Sequence, residues 1–171
     1  KEAGFERYKL SSDGVSLRSV PGSGNFFIAN SYEHTTIGHD SEEIEDINSQ
    51  MRKRMTKLVT CATNEDTSPK LYGPQDADIT IVSWGSNKGS ILQTLKDFPN
   101  VNYLHITWMS PFPTEAVKTI LEKSRHIINI ECNYPAALGG LIKENTEIEI
   151  IDNLLKYDGR PFFPEEINEK L

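Results

Sequence analysis

A loop with two glycines is the first place in this sequence where residue types and spacing could support chemistry. The run WGSNKGS, residues 84–90, follows a β-branched apolar run and precedes a helix-like segment, as many phosphate-binding turns do. Its spacing matches neither the P-loop pattern nor the dinucleotide-binding Gly-x-Gly-x-x-Gly pattern. We therefore predict a plain strand-to-helix turn. A ligand bound at this turn would lie beyond the carboxyl ends of the strands. The candidate ligand-binding residues are Gly85, Ser86, Lys88 and Gly89.

Histidine and cysteine positions follow no established metal-site spacing. His34 and His39 lie five residues apart with carboxylates beside them, which raises a metal site as an alternative to a polar surface loop. Cys61 and Cys132 are 71 positions apart, and no Cys-x-x-Cys pair occurs, so we expect two buried free thiols in a reducing cytosol. The sequence therefore predicts no metal site, and the absence of a Gly-x-Ser-x-Gly elbow leaves a hydrolase triad without a nucleophile.

Length and charge limit the number of domains and the kinds of partner that this protein can have. The 171 residues fit one domain with an appended arm. A formal net charge of −7 argues against a sequence-independent nucleic-acid partner. Neither a membrane-spanning run nor a secretory signal is present, so we expect no membrane association and a cytoplasmic location. The chain begins at Lys1 instead of Met, which predicts a processed chain or a piece of a longer protein.

The first part of the chain is predicted to be an arm followed by a helix. Residues 1–40 are rich in glycine, serine and aromatic residues and contain several turn signals, which is typical of an irregular arm or linker. Helical spacing of apolar residues then predicts an amphipathic helix over residues 41–60, begun by an Asp40–Glu43 capping box. Basic residues in its last turns would complement the macrodipole. The apolar stripe consists of Ile44, Ile47, Met51, Met55 and Leu58.

Beyond a polar linker at residues 64–74, apolar segments alternate with amphipathic ones. The predicted strands are DITIVSW, VNYLHIT, HIINIE and a last possible one, TEIEII. The predicted helices are residues 90–96, 114–123 and 136–143. This alternation predicts an α/β fold with a small open, mostly parallel sheet and helices on both faces. We expect its core at about residues 75–155, within a helix-plus-α/β domain of residues 41–171.

Several motifs in order carry a family resemblance that covers nearly the whole chain. Read together, they resemble the C-terminal half of the alpha subunit of 2-oxoacid:ferredoxin oxidoreductases of the 2-oxoglutarate and 2-ketoisovalerate type. The resemblance implies a domain similar to the C-terminal domain of transketolase. The motifs are FERYKLSSDGVSLRSVPG (5–22), YEHTTIGHDSEE (32–43), YGPQDADITIVSWGSNKGSI (72–91), WMSPFP (108–113), IECNYPAALGGLI (130–142) and LKYDGRPFFPEEI (155–167).

The resemblance implies an enzyme complex that oxidatively decarboxylates a 2-oxoacid to an acyl-CoA and passes electrons to ferredoxin. The whole enzyme would use thiamine diphosphate, magnesium, an iron–sulfur cluster and coenzyme A, none of them bound by this part alone. Its implied partners are a beta subunit, an upstream catalytic domain of the alpha subunit and ferredoxin. This chain would be a structural and assembly domain, inactive in isolation, with residues 1–40 leading from the upstream domain.

One position departs from the family pattern. Relatives commonly have Asn-Tyr-Ser-Gly-Gln-Leu where this chain has NYPAAL, residues 133–138. The change removes a polar side chain and any contact that it makes in relatives. We expect Pro135 to begin the following helix, since proline is tolerated in a first turn.

Two other functions fit the residues. The first is an independent α/β module that binds a phosphate or coenzyme A at the Gly85–Gly89 turn. The second is the C-terminal domain of a transketolase or an E1-type dehydrogenase. Under the favoured hypothesis, the 41–60 helix and the arm, including Arg18, Pro21 and His34, dock against neighbouring domains or subunits. Arg18 is the candidate near-site residue because it precedes a Pro-Gly turn.

Overall fold

The computed structural model describes residues 4–171. They form two compact units, one that ends at Glu65 and one that spans Asp66–Leu171. The helix predicted at residues 41–60 is grouped with the preceding arm in the first unit, so the compact boundary falls after the helix. The division at residues 40 and 41 stays a prediction about the domains of a longer protein.

The first unit consists of an irregular arm, a short hairpin and one long helix. Strands β1 (Glu33–His34) and β2 (Asp40–Ser41) pair antiparallel, and helix α1 spans Ile44–Asn64. The predicted capping box does not form, because Glu43 occupies the N-cap position without a side-chain bond. The helix also runs four residues past the predicted end at residue 60. Its basic residues therefore lie in the middle of the helix and not in the last turn.

Helix α1 packs on the arm through its polar face. Gln50 is buried and donates a hydrogen bond of 2.9 Å from Nε2 to the carbonyl of Tyr8. Thr60 Oγ1 donates to the carbonyl of Asp13 at 2.7 Å. The apolar side chains of the stripe point away from these contacts and are 38% to 77% exposed. The packed face is thus the opposite of the one that hydrophobic periodicity would select.

The second unit is built around one five-stranded sheet. Its strands are β3 (Lys70–Tyr72), β4 (Ile79–Trp84), β5 (Val101–Ile106), β6 (His126–Glu131) and β7 (Asp152–Leu155). They lie side by side in the order β3-β5-β4-β6-β7. Only β3 runs antiparallel to its neighbour, so the sheet is mostly parallel, as the sequence predicted.

Helices cover both faces of this sheet. They are α2 (Lys88–Thr94), α3 (Thr114–Leu121), α4 (Ala137–Thr146) and α5 (Pro164–Asn168). Because strand side chains alternate between faces, Ile81 and Tyr103 pack with α2 and α5, while Val82 and Leu104 pack with α3 and α4. This layering confirms the predicted α/β fold class.

Three parts of the sequence-based assignment of the second unit were wrong. Residues 70–72 pair as an edge strand, although they fall in the predicted linker. The last strand is Asp152–Leu155 and not TEIEII, because the left-handed Glu147 ends α4 and the residues after it form a loop. Helix α5 was not predicted, and it extends the core beyond residue 155 through Ile167, which is fully buried. No helix among residues 4–171 is both long enough and apolar enough to cross a bilayer.

Candidate functional site

The second unit has a crevice where the strand order reverses. The chain moves from β4 to β5 on one side and then returns to β6 on the other side of β4. In open α/β sheets, ligands bind beyond the carboxyl ends of strands at such a reversal. Here a cleft of about 150 Å³ lies between residues 84–87 and Cys132. A wider groove of about 520 Å³ adjoins it and is lined by Ser86, Cys132, Lys156 and Arg160, among others.

The walls of this crevice are held by hydrogen bonds between the ends of β4 and β6. Ser83 Oγ donates to the carbonyl of Ile130 at 2.6 Å, and Asn87 Nδ2 donates to Ser83 Oγ at 3.1 Å. The thiol of Cys132 donates to Asn87 Oδ1 at 3.1 Å. Both cysteines are free, but the prediction that they are buried was wrong, because Cys132 is exposed and Cys61 is partly exposed. Gly85 adopts a φ of +64°, a left-handed conformation that glycine takes without strain. Gly85 and Ser86 line the crevice.

Lys88 and Gly89 do not line the crevice, whereas Gly85 and Ser86 do. The Lys88 ammonium sits 5.1 Å from the ring centroid of Tyr72, on the edge strand. Its charge also acts on His105, which is 7% exposed. Burial lowers the pKa of His105, and the charges of Lys88 and Lys70 lower it further. The four candidate ligand residues thus do not converge, and their binding role stays a prediction.

Glu131, at the carboxyl end of β6, is a feature of the crevice that sequence reasoning missed. It is fully buried, and five groups donate hydrogen bonds to its carboxylate. The donors are Trp84 Nε1, Asn129 Nδ2, Asn133 Nδ2 and the backbone N–H groups of Leu138 and Gly139. The carboxylate therefore caps the first turn of α4 and fixes Trp84 at the rim of the crevice.

The pKa of Glu131 reflects two opposing effects. Burial acts to raise the pKa, because it removes water from the charged form. The bonds from Asn129, Leu138, Asn133 and Gly139 outweigh this effect and lower the pKa below its usual value. Glu131 is thus a buried anion that is satisfied by its surroundings. The sequence signal was an acidic residue at the end of an apolar strand, six residues before the start of a helix.

The turn before α4 contains a strained residue. The prediction that Pro135 begins the helix was wrong, because α4 begins at Ala137 and Ala136 is left-handed, with φ 53° and ψ 55°. This conformation costs a non-glycine residue about 1 kcal/mol or more. We expect Ala136→Gly to raise the free energy of unfolding by about 0.5 to 1 kcal/mol in chemical denaturation. The control Ala137→Gly, in the first turn of α4, should lower it by up to about 1 kcal/mol; equal effects would contradict this assignment.

In the first unit, Arg18 lines a basic cleft. The cleft has a volume of about 470 Å³ and lies between α1 and the arm. Four further basic residues line it: Arg7, Lys53, Arg54 and Lys57. This cluster was not predicted, because its members are up to 50 positions apart and meet only when the arm folds on the helix. Arg18 is exposed and lies on a concave, positively charged surface, and its role near the active site stays a prediction.

His34 is not available as a docking contact. It is 3% exposed, and its ring stacks on that of Tyr8 with centroids 4.2 Å apart. Its Nε2 lies 3.7 Å from Asp40 Oδ1. The hypothesis that His34 docks against a neighbour was therefore wrong, since its side chain is part of the first unit's own packing. Pro21 is exposed. Across residues 4–171, no three His, Cys, Asp or Glu side chains come together as a metal site would require.

Comparison with known proteins identifies relatives over nearly the whole chain. No protein-family model matches it. The chain is 32% identical over 98% of its length to subunit alpha of 2-oxoacid:ferredoxin oxidoreductase 1 of Sulfurisphaera tokodaii. It is 31% identical over 96% of its length to the 2-oxoacid:ferredoxin oxidoreductase subunit alpha of Saccharolobus solfataricus. It spans only about 27% of the length of each of these two relatives.

A solved structure has the same fold. It is the 2-oxoglutarate:ferredoxin oxidoreductase from Magnetococcus marinus with 2-oxoglutarate, coenzyme A and succinyl-CoA bound. The TM-score is 0.80, and the match covers 99% of this chain and 30% of that one. Sequence identity is 23%, so this likeness supports the fold alone.

Proposed function

We propose that this chain, a homologue of part of the 2-oxoacid:ferredoxin oxidoreductase alpha subunits, is the C-terminal assembly domain of such a subunit. The whole enzyme would oxidatively decarboxylate a 2-oxoacid to an acyl-CoA and pass the electrons to ferredoxin in the cytoplasm. The observation that supports the proposal is 32% identity over 98% of the chain to a curated alpha subunit. The partners would be a beta subunit, the upstream part of the alpha subunit and ferredoxin.

Thiamine diphosphate with its magnesium ion, and an iron–sulfur cluster, do not fit the side chains of residues 4–171. A magnesium ion takes oxygen ligands such as carboxylates, but no three His, Cys, Asp or Glu side chains within residues 4–171 come close enough to share an ion. An iron–sulfur cluster takes several thiolates, whereas Cys61 and Cys132 lie in separate units. We therefore assign thiamine diphosphate, magnesium and the cluster to other parts of the enzyme.

The apolar stripe of α1 supports an assembly role. Ile44, Ile47, Met51, Met55 and Leu58 are all at least 38% exposed. A helix that leaves such a stripe in water loses the burial that would stabilise it, about 25 cal/mol per Å² of apolar surface. Since the chain spans about 27% of its curated relatives, most of an alpha subunit lies outside it. We assign the stripe to packing against that remainder of the alpha subunit.

Reconstitution of the complete enzyme tests the proposed activity. The full-length alpha subunit that contains this chain, purified with its beta subunit, should reduce ferredoxin only when a 2-oxoacid and coenzyme A are both present. Acyl-CoA should form in proportion to the ferredoxin reduced. The 171-residue chain alone should give neither product. Turnover by the isolated chain, or no turnover by the complete complex with any 2-oxoacid, would refute the proposal.

A double substitution tests the role of the stripe. We expect Met51→Gln with Met55→Gln to change the free energy of unfolding of the 171-residue chain by less than about 1 kcal/mol, because both side chains are about half exposed. In the full-length alpha subunit, the same change should cost about 2 to 4 kcal/mol, since it would place two amides in an apolar interface. Thermal and urea unfolding of both proteins provide the measurement.

This comparison distinguishes two possible neighbours of the stripe, the remainder of the alpha subunit and the beta subunit. Arg52→Gln, an exposed change on the same helix, should leave both proteins unaffected. If the full-length subunit keeps its stability but no longer retains the beta subunit, the stripe belongs to a subunit interface and our assignment is wrong.

The alternative functions have less support. An independent phosphate- or coenzyme A-binding module at the Gly85–Gly89 turn would need Lys88 beside Gly85, but Lys88 packs on Tyr72. A transketolase or E1-type dehydrogenase shares the architecture, whereas the curated relatives reported above are ferredoxin oxidoreductase alpha subunits. The assembly domain therefore remains the better proposal.

A further inference from the structure

The basic cleft of the first unit concentrates positive charge in an acidic chain. Its five cations, Arg7, Arg18, Lys53, Arg54 and Lys57, line one concavity, while the chain carries a net charge of −7. Three of them lie on α1 at residues 53, 54 and 57, a spacing that places side chains on one side of a helix. The other two come from the arm, which crosses that side of the helix. Folding therefore brings these charges together.

One of the five cations is neutralised within the unit. Arg54 forms a salt bridge of 2.6 Å with Glu33. No carboxylate among residues 4–171 forms a salt bridge with Arg7, Arg18, Lys53 or Lys57. Four positive charges thus share the cleft without a negative partner in the described part of the chain.

The arm holds two of these cations in fixed positions. Lys53 Nζ donates to the carbonyl of Tyr8 at 2.9 Å and to Ser16 Oγ at 3.0 Å. The guanidinium of Arg7 lies 5.8 Å from the ring centroid of Tyr8 and 5.7 Å from that of Phe27. Contacts with ring faces leave the in-plane N–H donors of a guanidinium available to a ligand. The cleft is therefore held open by contacts that do not neutralise it.

The electrostatics show that the cations repel one another. The pKa of Lys53 lies below its usual value, first because of burial and then because of the charges on Lys57 and Arg7, although the charge of Glu33 acts in the opposite direction. A bound anion would reverse these Coulombic contributions. A negatively charged ligand would relieve the repulsion among these cations, and this relief would contribute to its binding free energy.

The size and chemistry of the cleft select the class of anion. A volume of about 470 Å³ falls within the range of small-molecule sites, about 300 to 1,000 Å³. Guanidinium and ammonium groups bind the oxygens of phosphate through charge-assisted hydrogen bonds. An extended nucleic acid would meet the negative net charge of the rest of the chain. We propose that this basic cleft binds a phosphate group of a small-molecule ligand, a role that is independent of the assembly function.

Titration of the 171-residue chain with pyrophosphate and with coenzyme A tests the proposal. We expect isothermal titration to detect pyrophosphate binding at 50 mM NaCl and to show weaker binding at 300 mM, because exposed charges are screened. Arg18→Gln and Lys57→Gln should each weaken binding about tenfold or more, the effect of one lost charge-assisted hydrogen bond. Helix content by circular dichroism should not change, since both side chains are exposed.

A matched variant and a second ligand make the result specific. Arg52→Gln removes the same charge from α1 outside the cleft and should leave the affinity within twofold. If coenzyme A binds and pyrophosphate competes with it, the phosphate comes from the coenzyme; if only pyrophosphate binds, it comes from a free oxyanion. No binding of either ligand, or equal effects of Arg18→Gln and Arg52→Gln, would overturn the proposal. So would binding of poly-glutamate alone, which would assign the cleft to an acidic protein segment.

Discussion

Replacing Glu131 with Gln is expected to destabilise the second unit by about 2 to 4 kcal/mol. The five donors around the carboxylate leave no place for the amide NH₂ of Gln, which would point donor hydrogens at other donors. Because two of those donors are N–H groups of the first turn of α4, the substitution also removes a negative charge from the positive end of the helix dipole. Urea unfolding followed by tryptophan fluorescence measures the loss, since Trp84 is one of the donors.

A matched variant distinguishes this effect from the simple loss of a charge. Glu122→Gln removes the same charge from an exposed position at the end of α3, and it should change stability by less than about 0.5 kcal/mol. If the two variants unfold at the same urea concentration, the carboxylate of Glu131 is not the anchor that its hydrogen bonds indicate.

The same carboxylate should make stability depend on pH in a defined direction. Its pKa in the folded unit lies below the usual value of 4.5, so the unfolded chain binds the proton more readily. The stability that Glu131 contributes is therefore complete above about pH 4.5 and is lost as the pH falls through the lower folded pKa. Comparing Glu131→Gln with the unmodified chain across pH 2 to 7 should show a difference that shrinks at the acidic end. A constant difference would contradict the assignment.

The architecture of the second unit was predictable because its strands are buried on both faces. Segments such as Ile79–Trp84 and Val101–Ile106 are nearly continuous apolar runs, and this composition specifies a covered parallel sheet. The edge strand Lys70–Tyr72 has only three residues and lies within a polar segment. Three residues are too few to show the alternation of apolar and polar side chains that indicates a strand. Glu131 was missed for a related reason: its five donors are the side chains of three separate residues and two backbone N–H groups of a helix, and no local pattern encodes them.

The first unit shows a different limit of sequence reasoning. Helical spacing correctly predicts that α1 has an apolar stripe, but it does not say which partner covers that stripe. The preceding arm meets this helix through backbone carbonyls and leaves apolar side chains of its own, such as Leu17 and Phe26, exposed. It therefore pairs with Gln50, Lys53 and Thr60. The same contacts create the basic cleft, which explains why Arg18 could be singled out from the sequence but its cationic neighbours could not.

Gly14→Ala is expected to dislodge the arm from α1 and to cost more than about 3 kcal/mol in the local stability of the first unit. Gly14 has a φ of +75°, and a Cβ added there would lie 2.4 Å from the backbone N of Lys57 and 2.5 Å from the carbonyl of Lys53. Helix backbone cannot move aside as a flexible side chain can, so the arm must lift. Hydrogen exchange of the α1 amides measures the effect, because loss of the arm would expose the helix to local opening.

Gly22→Ala separates backbone strain from close packing. Gly22 has a similar φ of +83°, but nothing lies within 4 Å of its added Cβ, so this variant should lose only about 1 kcal/mol. Gly14→Ala should also weaken pyrophosphate binding strongly, because Arg7 and Arg18 reach the cleft only while the arm is seated. Gly22→Ala should leave that binding intact, since its backbone lies outside the cleft. If the two variants have equal hydrogen exchange in α1, the contact between Gly14 and the helix does not hold the arm in place.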